Sequence, residues 1–280
     1  MTATGNLADS PRIIRSSHDR TRQAIADLIN GAQAWRVWSM MGWLDIRQRY
    51  RRTMIGPFWI TLSMAVMVAT LGVLYSSLFK LEISEFIPYL AAGFCIWFLI
   101  AAMINEGTTL FVQADGIIRN TSLPIATHVY RLMTRNLITF AHNAVVMVAV
   151  YFFFHLNPGP RIFLALPGLV LVMCNLAPIA LVLGAICARF RDAPPIVSNL
   201  VQIAFFVTPI LYRPHLLDAH LTPIADWNPF YHLVEIVRAP LLGQPTPEIT
   251  YLAVIVMTAI SWLVALLFYG RFRSRIPYWM

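Results

Sequence analysis

Lysine is almost absent from this chain. Lys80 is the only lysine among the 280 residues, and Leu81 follows it. A phosphate-binding loop of the form G-x-x-x-x-G-K-[ST] needs a lysine followed by serine or threonine, and a kinase-type ATP site needs a lysine on its third strand. Both sites are therefore excluded, and any energy that the protein takes from ATP must reach it through another chain.

Charge of either sign is also scarce. Charged residues make up 12% of the chain, hydrophobic residues make up 58%, and the mean hydropathy is +0.65. These values lie outside the range of ordinary soluble domains and are typical of integral membrane proteins. The length suits about six spans and a modest cytoplasmic part, so the sequence predicts an all-α integral membrane protein.

Residues that carry catalytic or metal chemistry are few and scattered. Cys95, Cys174 and Cys187 lie inside apolar runs without a C-x-x-C pair, which favours buried thiols over disulfides or a metal site. There is no H-E-x-x-H or G-x-S-x-G motif. We therefore expect no catalytic residue, no metal and no cofactor in this chain. A membrane-embedded glycosyl- or acyltransferase stays a weaker alternative, because it would need acidic or histidine residues grouped at one interface.

The stretch from Arg47 to Phe79 sets the direction of the chain. Four arginines come first, at positions 47, 49, 51 and 52, and the run Phe58–Phe79 then passes without a charge. A helix of that length crosses the ~30 Å hydrocarbon core of a bilayer at 1.5 Å per residue. Basic flanks collect on the cytoplasmic side, so we expect the first 57 residues to lie in the cytoplasm.

The same reasoning predicts six spans with both termini in the cytoplasm. The spans are expected at about 58–79, 87–104, 137–156, 162–188, 196–212 and 249–269. In this topology 17 of the 21 basic residues lie on cytoplasmic segments, and the exceptions are Lys80, Arg161, Arg213 and Arg238. The positive charge therefore follows the topology and does not indicate binding of nucleic acid.

Two segments precede the first span. Residues 1–34 are polar and aperiodic, and they predict a loosely ordered cytoplasmic tail, with a short helix at Arg20–Ile29 as an option. Residues 35–280 form the expected transmembrane domain. Its first part, Trp35–Tyr50, mixes tryptophan with arginine, and both favour the headgroup layer of a membrane. We interpret it as an interfacial helix.

Two connections are too organised to be plain loops. In the cytoplasmic segment 107–120, five apolar residues fall within an arc of about 120°, which predicts an amphipathic helix of about three turns. It would either lie on lipid or form a docking surface for a cytoplasmic partner. The outer segment Arg213–Glu248 belongs to a stretch, Pro209–Pro247, that holds seven of the 18 prolines, and its apolar pieces are too short to span. It predicts outer re-entrant helices between spans 5 and 6.

Aromatic residues are plentiful, and most of them should face lipid or pack in the core. Some could instead line a path for a sugar chain, because aromatic faces stack on pyranose rings. The candidates for such a path are Trp59, Tyr75, Trp97, Phe98 and Phe205.

Several motifs resemble the polysaccharide-exporting ABC transporter permeases. The resemblance begins at about residue 33, covers nearly all the rest of the chain and keeps the order of the motifs. They are Asp45–Thr53 followed by Gly56-Pro57-Phe58-Trp59, then Pro88–Gly93, Asn105-Glu106-Gly107, Arg189-Phe190-Arg191-Asp192, and Asn228-Pro229-Phe230 with Glu235 and Arg238 behind it.

The resemblance implies the membrane subunit of an exporter for O-antigen, capsular polysaccharide or teichoic acid, in the bacterial inner membrane. It implies a homodimer, two separate ATP-binding subunits that hold ATP and Mg, and a polysaccharide substrate that is often lipid-linked. The implied ATPase-coupling residues are Leu110, Phe111, Asp115, Ile117, Ile118, Arg119, Pro124, Arg189, Arg191 and Asp192. The implied residues of an interfacial gate helix are Trp35, Trp38, Arg47, Arg49, Arg51 and Arg52. A lipid or drug exporter of the same superfamily would keep the fold and differ in cargo.

Overall fold

The computed structural model describes residues 17–51, 53–56, 58–214, 223 and 226–280, and within these ranges every regular element is a helix. The α-helices, numbered here in chain order, are α1 Ser17–Gln33, α2 Trp35–Arg49, α3 Phe58–Phe79, α4 Ile83–Thr108, α5 Asp115–Asn120, α6 Thr127–Phe154, α7 Ala165–Arg189, α8 Ala193–Val207, α9 Pro229–Leu241, α10 Glu248–Phe272 and α11 Ile276–Trp279. Short 3-10 turns cover Val112–Ala114, Gly159–Leu164 and Arg273–Arg275.

Five helical stretches in the described residues are long and apolar enough to cross a membrane. They are Phe58–Phe79, Ile83–Thr108, Thr127–Phe154, Gly159–Arg189 and Glu248–Trp279. The prediction of an all-α membrane protein is confirmed, and the bounds of the first span match the sequence prediction. The third of these helices begins at Thr127, ahead of the span predicted at about 137–156, and its first turns carry Arg131 and Arg135, which pair with Asp45 of α2 and Glu106 of α4.

The predicted fifth span, about residues 196–212, corresponds to α8, whose bounds are shifted toward the N-terminus. The helix α8 begins at Ala193, because Pro194 and Pro195 occupy its first turn, where proline costs no hydrogen bond. It ends at Val207, and Thr208 is extended. Fifteen residues span about 22 Å, less than the ~30 Å hydrocarbon core. Residues 208–213 then follow as irregular backbone.

A carbonyl group of that irregular backbone is hydrogen-bonded by side chains of two other helices, α4 and α9. The carbonyl of Pro209 accepts hydrogen bonds from the Tyr89 hydroxyl at 3.0 Å and from Nη1 of Arg238 at 2.7 Å. Nδ2 of Asn228 donates to Oγ1 of Thr208 at 3.0 Å. Away from water an unpaired carbonyl is costly, so these polar groups permit the chain to leave the helix here.

Helix α4 is the centre of the bundle. It packs against α3, α6, α7, α8 and α9, and its side chains are buried almost continuously from Phe86 to Ile104. In contrast, α3 and α10 expose most of their apolar residues. The core therefore sits around α4, and the outer helices present apolar surfaces to their surroundings.

The short helix α9 lies in the region where the sequence predicts outer re-entrant helices, and its 13 residues are too few to cross a membrane. Asn228 caps it by accepting a hydrogen bond from the amide of Phe230 at 2.9 Å, and Pro229 is its first residue. Eight of its thirteen residues are buried. A Cβ on Gly168 of α7 would lie 2.6 Å from the carbonyl oxygen of Ile236, so glycine permits the close approach of the two helices. The rest of the predicted re-entrant region, residues 215–222, 224 and 225, lies outside the described residues.

Residues 17–33 form α1, so the helix given as an option at Arg20–Ile29 is present and longer than expected, and this part of the predicted tail is helical. This helix is held by Asp27, whose side chain is 3% exposed. Its carboxylate accepts hydrogen bonds from the Tyr269 hydroxyl at 2.5 Å, from Arg273 at 2.7 Å and from the amide of Ala126 at 3.0 Å. One carboxylate thus joins α1 to the end of α10 and to the start of α6. Residues 1–16 lie outside the described part.

Candidate coupling surface and translocation path

A cluster of charged side chains holds α2 against α4 and α6. Arg131 of α6 donates two hydrogen bonds to the carboxylate of Asp45, at 2.7 and 2.5 Å. Arg135, one turn further along α6, contacts Asp45 at 3.3 Å and donates to Glu106 of α4 at 2.6 and 3.0 Å. Asn136 donates to the same Glu106 oxygen at 3.0 Å. We call these residues together with Arg49 the α2 clamp.

Arg49 completes the α2 clamp from the end of α2. Its Nη2 lies 2.9 Å from Oε1 of Glu106. Burial opposes the charge of the Arg49 guanidinium, but the hydrogen bond and the charge of Glu106 outweigh it, so the pKa of Arg49 is raised above its ordinary value. Arg47 and Arg51 are exposed, and Arg52 lies outside the described residues. Of the three described arginines in the run that the sequence singled out, Arg49 therefore belongs to the α2 clamp.

The sequence reasoning did not assign a role to Asp45, Arg131 or Arg135. The two arginines stand four residues apart and so share one face of α6, which was the available signal. Their acidic partners lie 86 and 29 residues away in the sequence, so only the fold brings them together.

Close packing of α2 on α6 supports the α2 clamp. A Cβ on Gly42 would lie 3.0 Å from Cβ of Thr134 and 3.2 Å from the carbonyl oxygen of Arg131. Trp38 packs its ring 6.0 Å from the ring of Tyr130. The opposite face of α2 is exposed, with 64% of Met40 accessible, and Trp35 at the start of the helix is 57% exposed. The helix expected from Trp35 to Tyr50 is thus present, and its location at a membrane surface stays a prediction.

The predicted three-turn amphipathic helix at 107–120 is wrong in form. Helix α4 continues to Thr108, a turn and a 3-10 segment follow, and α5 covers only Asp115–Asn120. Of the apolar arc, Leu110, Phe111 and Ala114 are buried in this chain's own core, while Ile117 and Ile118 are half-exposed. The arc therefore packs mainly inward, because periodicity identifies an apolar face but not what covers it.

Two other predicted coupling residues, Arg119 and Arg189, contact α11 or the residue that follows it. Arg119 pairs with Asp115 and donates to the carbonyl of Met280 at 2.7 Å. Arg189 places its guanidinium 5.3 Å from the centre of the Trp279 ring. Both predicted coupling segments thus meet α11 at the same end of the bundle.

The remaining residues of these segments fall into two groups. Pro124 lies at the start of α6, where its carbonyl accepts a hydrogen bond from the amide of Thr127 at 3.0 Å. Arg191 and Asp192 are exposed. Val112 and Phe190, which sequence reasoning did not select, are 49% and 56% exposed. Each of the two segments therefore carries an exposed apolar residue.

The aromatic residues suggested for a substrate path do not form one group. Trp97 and Phe205 lie 5.7 Å apart and belong to a cluster with Phe94 and Phe230, and Phe98 stacks on Phe94. Trp97 is only 4% exposed. By contrast, Trp59 and Tyr75 are on α3, where Trp59 is 57% exposed and Tyr75 stacks on Phe79. Trp97 therefore packs in the core of this chain.

The helices, their exposed apolar surfaces and the charge cluster at one end define a multi-pass membrane protein. Residues 36–242 match the family model described as ABC-2 type transporter. This match covers well over half of the chain, and the chain belongs to that family.

Curated relatives are similar at low identity. An O-antigen export system permease protein RfbA from Myxococcus xanthus is 23% identical over 169 residues, which are 60% of this chain and 65% of that protein. An RfbA protein from Klebsiella pneumoniae is 20% identical over 77% of this chain and 83% of its own length. The polysialic acid transport protein KpsM from Escherichia coli is 21% identical over 77% of this chain and 86% of its own length. The match to the Myxococcus protein thus spans just under two thirds of that relative.

Proposed function

We propose that this chain is the membrane-spanning permease subunit of an ATP-driven exporter that moves a polysaccharide across the bacterial inner membrane. The observation that carries the proposal is the family match over residues 36–242, together with relatives that are named as O-antigen and polysialic acid transporters. The cargo is a surface glycan such as O-antigen or capsule, linked to a lipid carrier.

The ATP and the Mg ion are bound by two separate ATP-binding subunits. The single lysine, followed by leucine, excludes a phosphate-binding loop in this chain. The exposed apolar residues Val112 and Phe190, one on each coupling segment, support an ATPase contact at this surface. An ATPase that moves this surface would act on α2 through α4 and the α2 clamp.

The distribution of arginine supports a cytoplasmic location for the end that carries the α2 clamp. Arg49, Arg119, Arg131 and Arg189 lie at this end, as does Arg273, which contacts α1. Cytoplasmic flanks of membrane proteins collect arginine and lysine. Both termini are then cytoplasmic, and α9 lies on the outer side.

Two copies of the chain form the translocation path. The exposed apolar faces of α3 and α8 support this, since Leu78 and Phe206 are 67% and 61% exposed. In a single copy the aromatic cluster is packed in the core of the chain. Closed two-fold symmetry is the most common arrangement of two identical subunits.

The proposal is tested by deleting the gene in its host and measuring surface glycan and lipid-linked precursor. We expect surface glycan to disappear and precursor to accumulate inside, and re-expression should restore export. Purification of the tagged chain should recover an ATP-binding subunit in equal amount. Normal surface glycan in the deletion strain would contradict the proposal and point to lipid or drug cargo.

A further inference from the structure

A pocket lies between α4, α9 and the chain that follows α8. Its volume is about 350 Å³, and it is lined by Tyr89, Arg213, Tyr231, Glu235, Arg238 and Gln244. It sits at the end of the bundle opposite the α2 clamp. Small-molecule sites occupy about 300–1,000 Å³, so the pocket has room for a small ligand or for one part of a larger one.

The floor of the pocket is rigid. Arg238 is 1% exposed, donates to Glu235 at 2.5 and 2.8 Å, and donates to the carbonyl of Pro209 at 2.7 Å. Its guanidinium lies 4.1 Å from the centre of the Tyr89 ring. The Tyr89 hydroxyl is bound to the carbonyls of Pro209 and Tyr212. Groups held in this way are preorganised for binding.

Several polar groups on the pocket have no partner among the described residues. Nε of Arg213 is buried without a hydrogen bond, although its two other nitrogens donate to Glu85. The Tyr231 hydroxyl, the side-chain amide of Gln244 and Oε1 of Glu235 also make no hydrogen bond within the described part of the chain. A buried donor without a partner is costly and points to a ligand that completes it.

The balance of charge selects the chemistry of that ligand. Within the pocket Arg238 is paired with Glu235, and Arg213 is paired with Glu85, which does not line the pocket, so both arginine charges already have a carboxylate partner. A phosphate or carboxylate would meet the charge of Glu235 at close range. A hydroxyl fits better, because it accepts from Arg213 and donates to Glu235. The Tyr231 ring adds an apolar face suited to a sugar ring.

The geometry points to a binding site for a neutral sugar unit of the exported glycan in this pocket. The inference rests on the proposed function. Arg213, Tyr231 and Gln244 donate hydrogen bonds to ring hydroxyls, and Glu235 accepts one from a neighbouring hydroxyl. On the outer side of the membrane such a site would bind the chain as it leaves the path, which favours outward movement.

The experiment uses the full chain in its host, with the cell's own glycan as the probe. A photo-reactive residue, p-benzoylphenylalanine, replaces the exposed Gln244 at the pocket rim. The control replaces Phe163, which is 78% exposed and does not line the pocket. After irradiation the permease is purified, stained for carbohydrate and analysed by mass spectrometry.

We expect a carbohydrate adduct at position 244 and none at position 163. Adding Tyr231→Phe to the Gln244 variant removes one hydroxyl and keeps the ring, and it should lower the adduct yield about fivefold. The proposed sugar site is wrong if export continues but the adduct is a lipid without carbohydrate. It is also wrong if export continues and Tyr231→Phe leaves the adduct yield unchanged. If the cells lacking the permease still display glycan, the proposed function fails and the pocket fails with it.

Discussion

Arg135 of α6 and Glu106 of α4 meet at 2.6 Å, with 11% and 22% of their side chains exposed. This pair lies at the centre of the α2 clamp, because Glu106 also binds Arg49 and Arg135 also contacts Asp45. The position of α2 is therefore determined by charges on two membrane-spanning helices. In the proposed exporter, any movement of α4 or α6 would be passed to α2.

The substitution Glu106→Gln tests the α2 clamp. It leaves the buried Arg135 without its main anionic partner, and we expect it to lower the free energy of unfolding by about 2–3 kcal/mol. Glu82 is exposed, and no ion pair involves it among the described residues, so Glu82→Gln is the matched control. Equilibrium unfolding in mixed micelles provides the measurement. Equal stability of the two variants would show that the cluster does not hold the helices together.

A second prediction concerns the anchor of α1. Asp27→Asn should release α1 from α10, because the carboxylate accepts three hydrogen bonds, one of them from the charged Arg273. Tyr269→Phe removes a single hydrogen bond and should cost about 1 kcal/mol. The rate at which a protease cleaves α1 reports this release. The control variant is Tyr278→Phe, at a position that is 86% exposed. Unchanged cleavage in Asp27→Asn would contradict the anchor.

Gly42→Val should push α2 away from α6. A Cβ at this position would lie 3.0 Å from Cβ of Thr134, and overpacking of this kind costs about 1–3 kcal/mol. Spin labels at the exposed Met40 and Val148 would measure the displacement of α2 as a longer distance. The control is Gly116→Val, because nothing lies within 4 Å of a Cβ there. An identical distance in both variants would show that the contact at Gly42 does not set the separation of α2 from α6.

The proposed ATPase contact predicts different outcomes for neighbouring residues. Val112→Asp and Phe190→Asp introduce charge on exposed apolar positions, so the permease should fold but recover at least tenfold less ATPase on purification. Phe111→Asp should instead prevent folding, because Phe111 is fully buried. Met54→Asp, at a fully exposed site between α2 and α3, serves as the control. If both surface variants recover a normal amount of ATPase, the ATPase contact does not include these two positions.

The sequence by itself determined the membrane class, the span Phe58–Phe79, the helix that starts at Trp35 and the short helix that begins after Asn228. These features depend on local hydrophobicity, length and capping, which need no knowledge of distant residues. The tertiary structure decided which charges meet and which apolar faces are covered. Asp27 and Tyr269 are 242 residues apart in the chain, and no local pattern joins them. Likewise, Leu110 and Phe111 look like a docking face on a helical wheel, but only the packed bundle shows that they are buried in this chain's own core.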